Sequence, residues 1–333
     1  MVELWYLDTF SKVFAQDGEI RTTAPGAVHK YLRTSILNHF GSKRLKDILL
    51  LQIEDFVNKT LSAWSTQASV EVKIAASAMV LDFTAKIMIS YDAKTLPDQN
   101  KIMTILRDLL KERPTLLPET RREDFLEQLR NNMENKGFLS EDFVVKLIFG
   151  GLLFATFESI SAAEQEAILE SREDPNSSLM WDEYRSTTFT LHVSFLHSQH
   201  VNSFASDKVV LTFQMPSIDM LYYLEKRFTI STGWTVMLVT SSLQFNPNTF
   251  ENPLEFHPWR WKELDSHVVS KNFMPFSGGP RQYAGAEYNR VFMATFFHVL
   301  LAKYRWMKIK AGKIYRKPVL WFGEGIHVKV SDK

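Results

Sequence analysis

The 333-residue sequence contains no cysteine. That absence excludes disulfides, zinc–thiolate centres, thiol nucleophiles and a thiolate ligand for any other metal. A dominant charge is missing too. The 39 basic and 38 acidic side chains leave a net charge of +1, so neither a nucleic-acid footprint nor a strongly acidic partner is expected. Long hydrophobic runs are scarce. The longest, Phe143 to Phe157, contains Lys146 and is too short to span a bilayer. Met1 to Asp8 carry acids and no apolar segment, so no secretory signal is read there. The expectation is a soluble or peripheral chain with no membrane anchor. Internal repeats and low-complexity tracts are absent from the sequence as well.

What is present is a globular composition, 45% apolar and 13% aromatic, enough to bury a sizeable core. No linker divides it, and one domain over 1–333 is expected, mainly α with a minor β-sheet. Ala27 to Phe40 reads as a helix. Leu45, Ile48, Leu49, Phe56, Leu61 and Trp64 recur at helical steps and predict another. Val70 to Ser90 is helical by its alanines, and Ile102 to Glu112 is amphipathic, ended by Pro114 and Pro118. Ser140-Glu-Asp142 starts a helix with acids in its first turn. From Phe143 to Ala163 that helix is apolar nearly all round, interrupted by Glu158, which predicts a path through the middle of the fold. Trp181 to Val193 reads as a further helix. Residues 1–25 read as short helical or loop pieces, and 194–227 show no sustained period. Around Gly233, Phe228 to Ser231 and Thr235 to Val239 predict a β-hairpin, and Ile326 to Val330 a last strand.

The stretch that organises the chain is Phe276-Ser-Gly-Gly-Pro-Arg-Gln-Tyr-Ala-Gly285, with Pro275 before it. Three glycines and a proline in ten residues make this a loop. The long apolar segment Ala286 to Tyr304 follows as a helix, so the loop meets backbone N–H groups and a positive dipole end. Taken alone, this could be a tight turn before a core helix. The order of its residues resembles the haem-binding loop of the cytochrome P-450 superfamily, the haem-thiolate monooxygenases. Where that family has its iron-binding cysteine, this chain has Tyr283.

The resemblance implies a truncated cytochrome P-450 fold and a haem cofactor. It implies that Pro275, Phe276, Gly279, Arg281 and Gly285 cradle the proximal haem face, with Arg281 on a propionate. Tyr283 is then either a phenolate ligand to iron or an aromatic filling a vacated pocket. A phenol near pKa 10 lies about three units from ionising at pH 7, ~4 kcal/mol that the metal must supply, against about half that for a thiol. His29 and Arg33, four apart on one helical face, suit an anionic group and resemble the early helix whose Arg contacts a propionate. Glu158 and Ser159, with Ala155 a turn before, resemble the acid–alcohol pair that relays protons beside the oxygen site. Phe256-His-Pro-Trp-Arg260-Trp261 resembles the plant branch that oxidises sterols and triterpenoids.

By the same resemblance the partners are a flavoprotein reductase and a small lipophilic substrate, with no nucleic acid. The site of work would be the cytosolic face of the endoplasmic reticulum membrane, although without an anchor the chain would be cytosolic or peripheral. The resemblance covers 26–92, 137–193 and 228–330, while 194–227 diverge. The family's Glu-x-x-Arg helix, the partner of Arg260, is not read after Val193. Such strings do occur at Glu119–Arg122 and Glu287–Arg290. The expectation is a monooxygenase-family protein, ancestrally hydroxylating a sterol or triterpenoid with dioxygen and catalytically impaired. The competing reading is a non-catalytic remnant or haem-free interaction protein. His192, His197 and His200 lack carboxylates at ligand spacing and do not predict a zinc site. His298 reads as a core histidine.

Overall fold

The computed structural model describes residues 2–4, 26–91, 102–113, 124–133, 135–149, 211–214, 235–238, 246–253, 264–273, 282–311, 315–317, 319–321 and 325–333. In chain order the helices are α1 Gly26–Phe40, α2 Ser42–Arg44, α3 Leu50–Ser65, α4 Val72–Ile89, α5 Ile102–Glu112, α6 Phe125–Met133, α7 Glu141–Lys146, α8 Ser266–Asn272 and α9 Ala286–Lys303. A π-helical turn, Leu45–Leu49, joins α2 to α3. The strands are β1 Val2–Leu4, β2 Val70–Glu71, β3 Leu211–Gln214, β4 Thr235–Leu238, β5 Tyr304–Ala311, β6 Tyr315–Lys317, β7 Val319–Trp321 and β8 Ile326–Asp332. They form sheets in the orders β1-β3-β4, β2-β8-β5 and β6-β7, antiparallel throughout.

The core is built around α9. Its residues Val291 to Phe297 are all buried, so this helix has no solvent face over two turns. Three other helices reach it through aromatic rings. Phe40 of α1 meets Tyr288 at 5.1 Å, Trp64 of α3 meets Phe296 at 5.9 Å, and Phe83 of α4 meets Phe292 at 5.7 Å. Each buried ring contributes about 1.5–3 kcal/mol. Together they fix where α9 begins.

Several expectations are met residue by residue. Ser140 caps α7 by accepting from the Phe143 N–H at 3.2 Å. Ser90 ends α4 in the left-handed conformation at φ 51°. Others are corrected. Ile48, expected on the buried face, is 46% exposed. The π turn explains it, since i→i+5 bonding turns Leu45, Leu49 and Leu50 inward and swings Ile48 out. Strand β4 pairs with β3, which lies inside the stretch that showed no period. Residues 228–234 of the expected hairpin lie outside the described residues, as do Glu158, Ser159, Ala155, Arg260 and all three histidines of the 192–200 cluster. Val2–Leu4 is a strand where helix or loop was expected.

A buried ionic cluster holds the ends of three helices. Arg113 and Asp124, each 4% exposed by side chain, pair at 2.5 and 2.7 Å. Arg113 also donates to the Ile89 carbonyl at the end of α4, at 2.8 Å. Asp124 caps α6 by accepting from the Glu127 N–H at 2.9 Å. Glu127 in turn binds Arg130 at 2.5 Å, and this hydrogen bond holds its carboxyl below the usual range against the opposing effect of burial. Glu127–Arg130 is a Glu-x-x-Arg string that the sequence reading passed over. Arg113→Ala or Asp124→Ala should each cost about 3–5 kcal/mol by leaving a buried charge unpaired. Replacing both together by Met and Leu should cost less than either single change in urea unfolding.

His39 of α1 is 3% exposed and donates from Nε2 to the Ile87 carbonyl at 3.2 Å. Burial, assisted by the charge of Arg44, lowers its pKa to about 4, while the Ile87 bond and Asp124 oppose. The folded chain therefore keeps His39 neutral where the unfolded chain protonates it. Stability from this site is complete above pH 6.5 and falls as pH drops from 6.5 to about 4, by on the order of 3 kcal/mol. Denaturant titrations at pH 7 and pH 5 should show this loss in the native chain and a flatter dependence in His39→Phe.

Candidate functional site

The start of α9 is the point at which the organising loop enters the described residues. Gly285 is the N-terminal cap residue and carries no side-chain cap. Its carbonyl accepts from the Asn289 N–H at 2.9 Å, and the Tyr283 carbonyl accepts from the Ala286 N–H at 3.4 Å. These bonds tie the first turn of α9 to the backbone of 283–285, beside the Tyr283 ring.

Tyr283 lies back across Gly285. A Cβ at position 285 would sit 3.0 Å from the phenol Cζ and Oη and 3.2 Å from Cε1. A side chain here would push the Tyr283 ring by a few tenths of an ångström, while the backbone φ of −85° is open to any residue. Behind this ring stands a second phenol. Tyr288 is 3% exposed, and its hydroxyl shares a 3.1 Å hydrogen bond with Thr84 Oγ1 on α4. Burial pushes the Tyr288 phenol far up; the Thr84 bond opposes this, and negative charge on Tyr283 raises it further. Tyr288 is thus held neutral beside Tyr283.

Arg33 arrives from α1. Its guanidinium donates to the backbone carbonyl of Gln282, next to Tyr283. Helix α1 is therefore seated on the loop at the residue before the tyrosine. His29, one turn earlier on the same helix, is half-buried. Of the expected site residues, His29, Arg33, Tyr283 and Gly285 fall within the described residues, and three of these four come together. Pro275, Phe276, Gly279 and Arg281 lie outside them. Thr84 and Tyr288 were not singled out from the sequence. A tyrosine five residues after another at a helix start was the available signal, while nothing local points to Thr84.

The start of α9 therefore gathers Tyr283, Gly285 and the Arg33 guanidinium of α1. Comparison with known proteins gives the class. The cytochrome P450 family pattern matches residues 221–324. The chain is 38% identical to the cucurbitadienol 11-hydroxylase of Siraitia grosvenorii, over all of this chain and 79% of that protein. It is 37% identical to a beta-amyrin 16-alpha-hydroxylase of Maesa lanceolata, over all of this chain and 78% of that protein. The solved structure of a retinoic acid-bound cyanobacterial relative, CYP120A1, shares the fold with a TM-score of 0.72 at 16% identity, covering all of this chain and 84% of that one. The chain belongs to the cytochrome P450 family, on its plant triterpenoid-oxidising branch.

That family implies haem, and the described residues suit one. Arg33 and His29 stand on the helix that touches the loop, where carboxylates of a porphyrin need cationic donors. Tyr283 offers an oxygen that binds ferric iron only as phenolate, and the dipole of α9 favours that anion. Among the described residues no helix is long and apolar enough to cross a membrane.

The packing of Tyr283 on Gly285 is testable without cofactor. Gly285→Ala should destabilise the chain by about 1 kcal/mol through overpacking. In a Tyr283→Ala background the same change should cost nothing, and a double-mutant cycle in urea reads the difference.

Proposed function

We propose that the chain is a haem-binding monooxygenase-family protein with an oxygen-ligated iron and little or no hydroxylase turnover. The observation that supports this reading is Tyr283 at the N-terminus of α9 in a chain with no cysteine, where the family resemblance puts the iron ligand. The ancestral substrate class is a rigid triterpenoid or sterol, as the names of the two hydroxylases suggest. A flavoprotein reductase is the expected electron source and the cytosolic face of the endoplasmic reticulum the expected setting. The match to the first hydroxylase runs over 386 positions against 333 residues in this chain, so residues of that protein are missing here within the matched span.

Haem, when bound, supplies one-electron chemistry with dioxygen. The chain's own residues would do the rest. By the resemblance Arg33, His29 and Arg281 would hold the propionates, and Pro275, Phe276, Gly279 and Gly285 would form the loop against the porphyrin. Tyr283 would hold the iron as phenolate, while Tyr288 stays neutral, hydrogen-bonded to Thr84. By the family resemblance Glu158 and Ser159 would pass protons, and Ala155 would leave room beside them. A phenolate gives less electron push toward O–O cleavage than a thiolate, so impaired turnover follows from the ligand itself. The alternative, a haem-free interaction protein, draws support from the same ring packed on Gly285, which fills space without a cofactor.

Haem added to the purified chain should give a coloured complex with a phenolate-to-iron band that Tyr283→Phe removes. Colourless protein supports the haem-free reading, and an unchanged spectrum in Tyr283→Phe removes Tyr283 as ligand. Tyr283→Cys should restore a thiolate-type spectrum but not triterpenoid hydroxylation with a reductase. Turnover by that single variant would show that the tyrosine is the only defect and that the shortened chain costs no activity.

A further inference from the structure

Helix α9 carries four aromatic rings, Tyr288, Phe292, Phe296 and Phe297, and the only hydroxylated one stands nearest the loop. Packing does not ask for that hydroxyl. A phenylalanine at 288 would fill nearly the same space against Phe40 and Phe292, with no buried O–H to satisfy. The hydroxyl is satisfied by Thr84 of α4 at 3.1 Å, and both residues are buried. A threonine inside a helix can turn its hydroxyl back onto its own backbone. Thr295 does so on α9, donating to the Val291 carbonyl at 2.8 Å. Thr84 instead reaches across to another helix.

The bond lies where it can act on Tyr283. Gly285 and Tyr288 are three residues apart at the start of α9, on one face of the helix, and the Tyr283 ring lies across Gly285. Ring packing is non-directional and lets a helix rock about its own axis, whereas a hydrogen bond between side chains of two helices is directional. If α9 turns, Gly285 turns with it and the phenol lying on it moves. Helix α1 holds the same segment on both sides of Tyr283, with Phe40 against Tyr288 and Arg33 on the Gln282 carbonyl. Rotation of the first turn is left for the Thr84 bond to fix.

We infer that Thr84 and Tyr288 are positioning residues for Tyr283, their shared hydrogen bond setting the angle at which that phenol stands at the loop. Their use to the protein rests on Tyr283 being the iron ligand, while the placement itself can be read without haem. A ligand atom has to be held within about half an ångström of its working position, and a side chain in a glycine-rich loop needs support from outside the loop for that.

The full chain carrying a single fluorotyrosine at position 283 gives a fluorine NMR line that reports the surroundings of this ring in the absence of haem. Thr84→Val and Tyr288→Phe should each shift and broaden that line, and both changes together should do no more than the larger single one. Thr295→Val removes a buried hydroxyl of α9 that reaches no other helix. It should lower the urea midpoint and leave the line in place. In the haem-loaded chain Thr84→Val should also move the phenolate modes of Tyr283. An unmoved line in Thr84→Val or Tyr288→Phe, an equal shift in Thr295→Val, or tyrosine modes identical in Thr84→Val and native haem complexes overturns the inference. The expected fluorine shifts combined with a haem spectrum free of tyrosine modes would uphold the pair and remove Tyr283 as ligand.

Discussion

The burial of α9 on every side is the constraint from which the rest follows. A helix with rings from α1, α3 and α4 locked against Tyr288, Phe292 and Phe296 cannot shift along its axis without opening cavities. Its first turn is therefore a fixed point, and residues 282–285 inherit that position. Arg33 then ties α1 to the Gln282 carbonyl, so the two segments that would face a porphyrin are set by packing before any ligand arrives. The Arg113–Asp124 cluster pins a second junction, joining the end of α4 to the start of α6.

This arrangement separates two properties that the family normally joins. The scaffold needs aromatic packing, a glycine-rich approach and a seated cationic helix, and the described residues supply the first and the last. The chemistry needs a soft, easily ionised ligand, and cysteine is missing. Substituting a phenol keeps a place for a metal-binding oxygen but raises the cost of ionisation by about 2 kcal/mol relative to a thiol. Burial holds Tyr288 behind it neutral, hydrogen-bonded to Thr84.

Much of this was legible in the sequence where a local signal existed. The apolar period of α3, the serine cap of α7, the loop before α9 and the donor pair of α1 all rest on spacing or on single residues with strong backbone preferences. Other features escaped because their cause is not local. Ile48 fits a helical period and is turned out by a π turn. Strand β3, Leu211-Thr-Phe-Gln214, does alternate, but at four residues it is too short to stand out from the unpatterned stretch around it. Strand β5 leaves α9 with no glycine or proline between them, so a helix-to-strand change had no punctuation. The fold of Tyr283 over Gly285 and the reach of Arg33 to Gln282 are tertiary facts. No residue spacing encodes them.

The central claim is that the family's scaffold here presents oxygen to iron. Resonance Raman spectroscopy of the haem-loaded chain, excited in the charge-transfer region and repeated with ring-deuterated tyrosine, reads the iron's axial partner directly. Phenolate ring modes that shift with the label are the predicted result. A haem complex whose spectrum lacks tyrosine modes, with axial histidine or methionine in their place, would contradict the account.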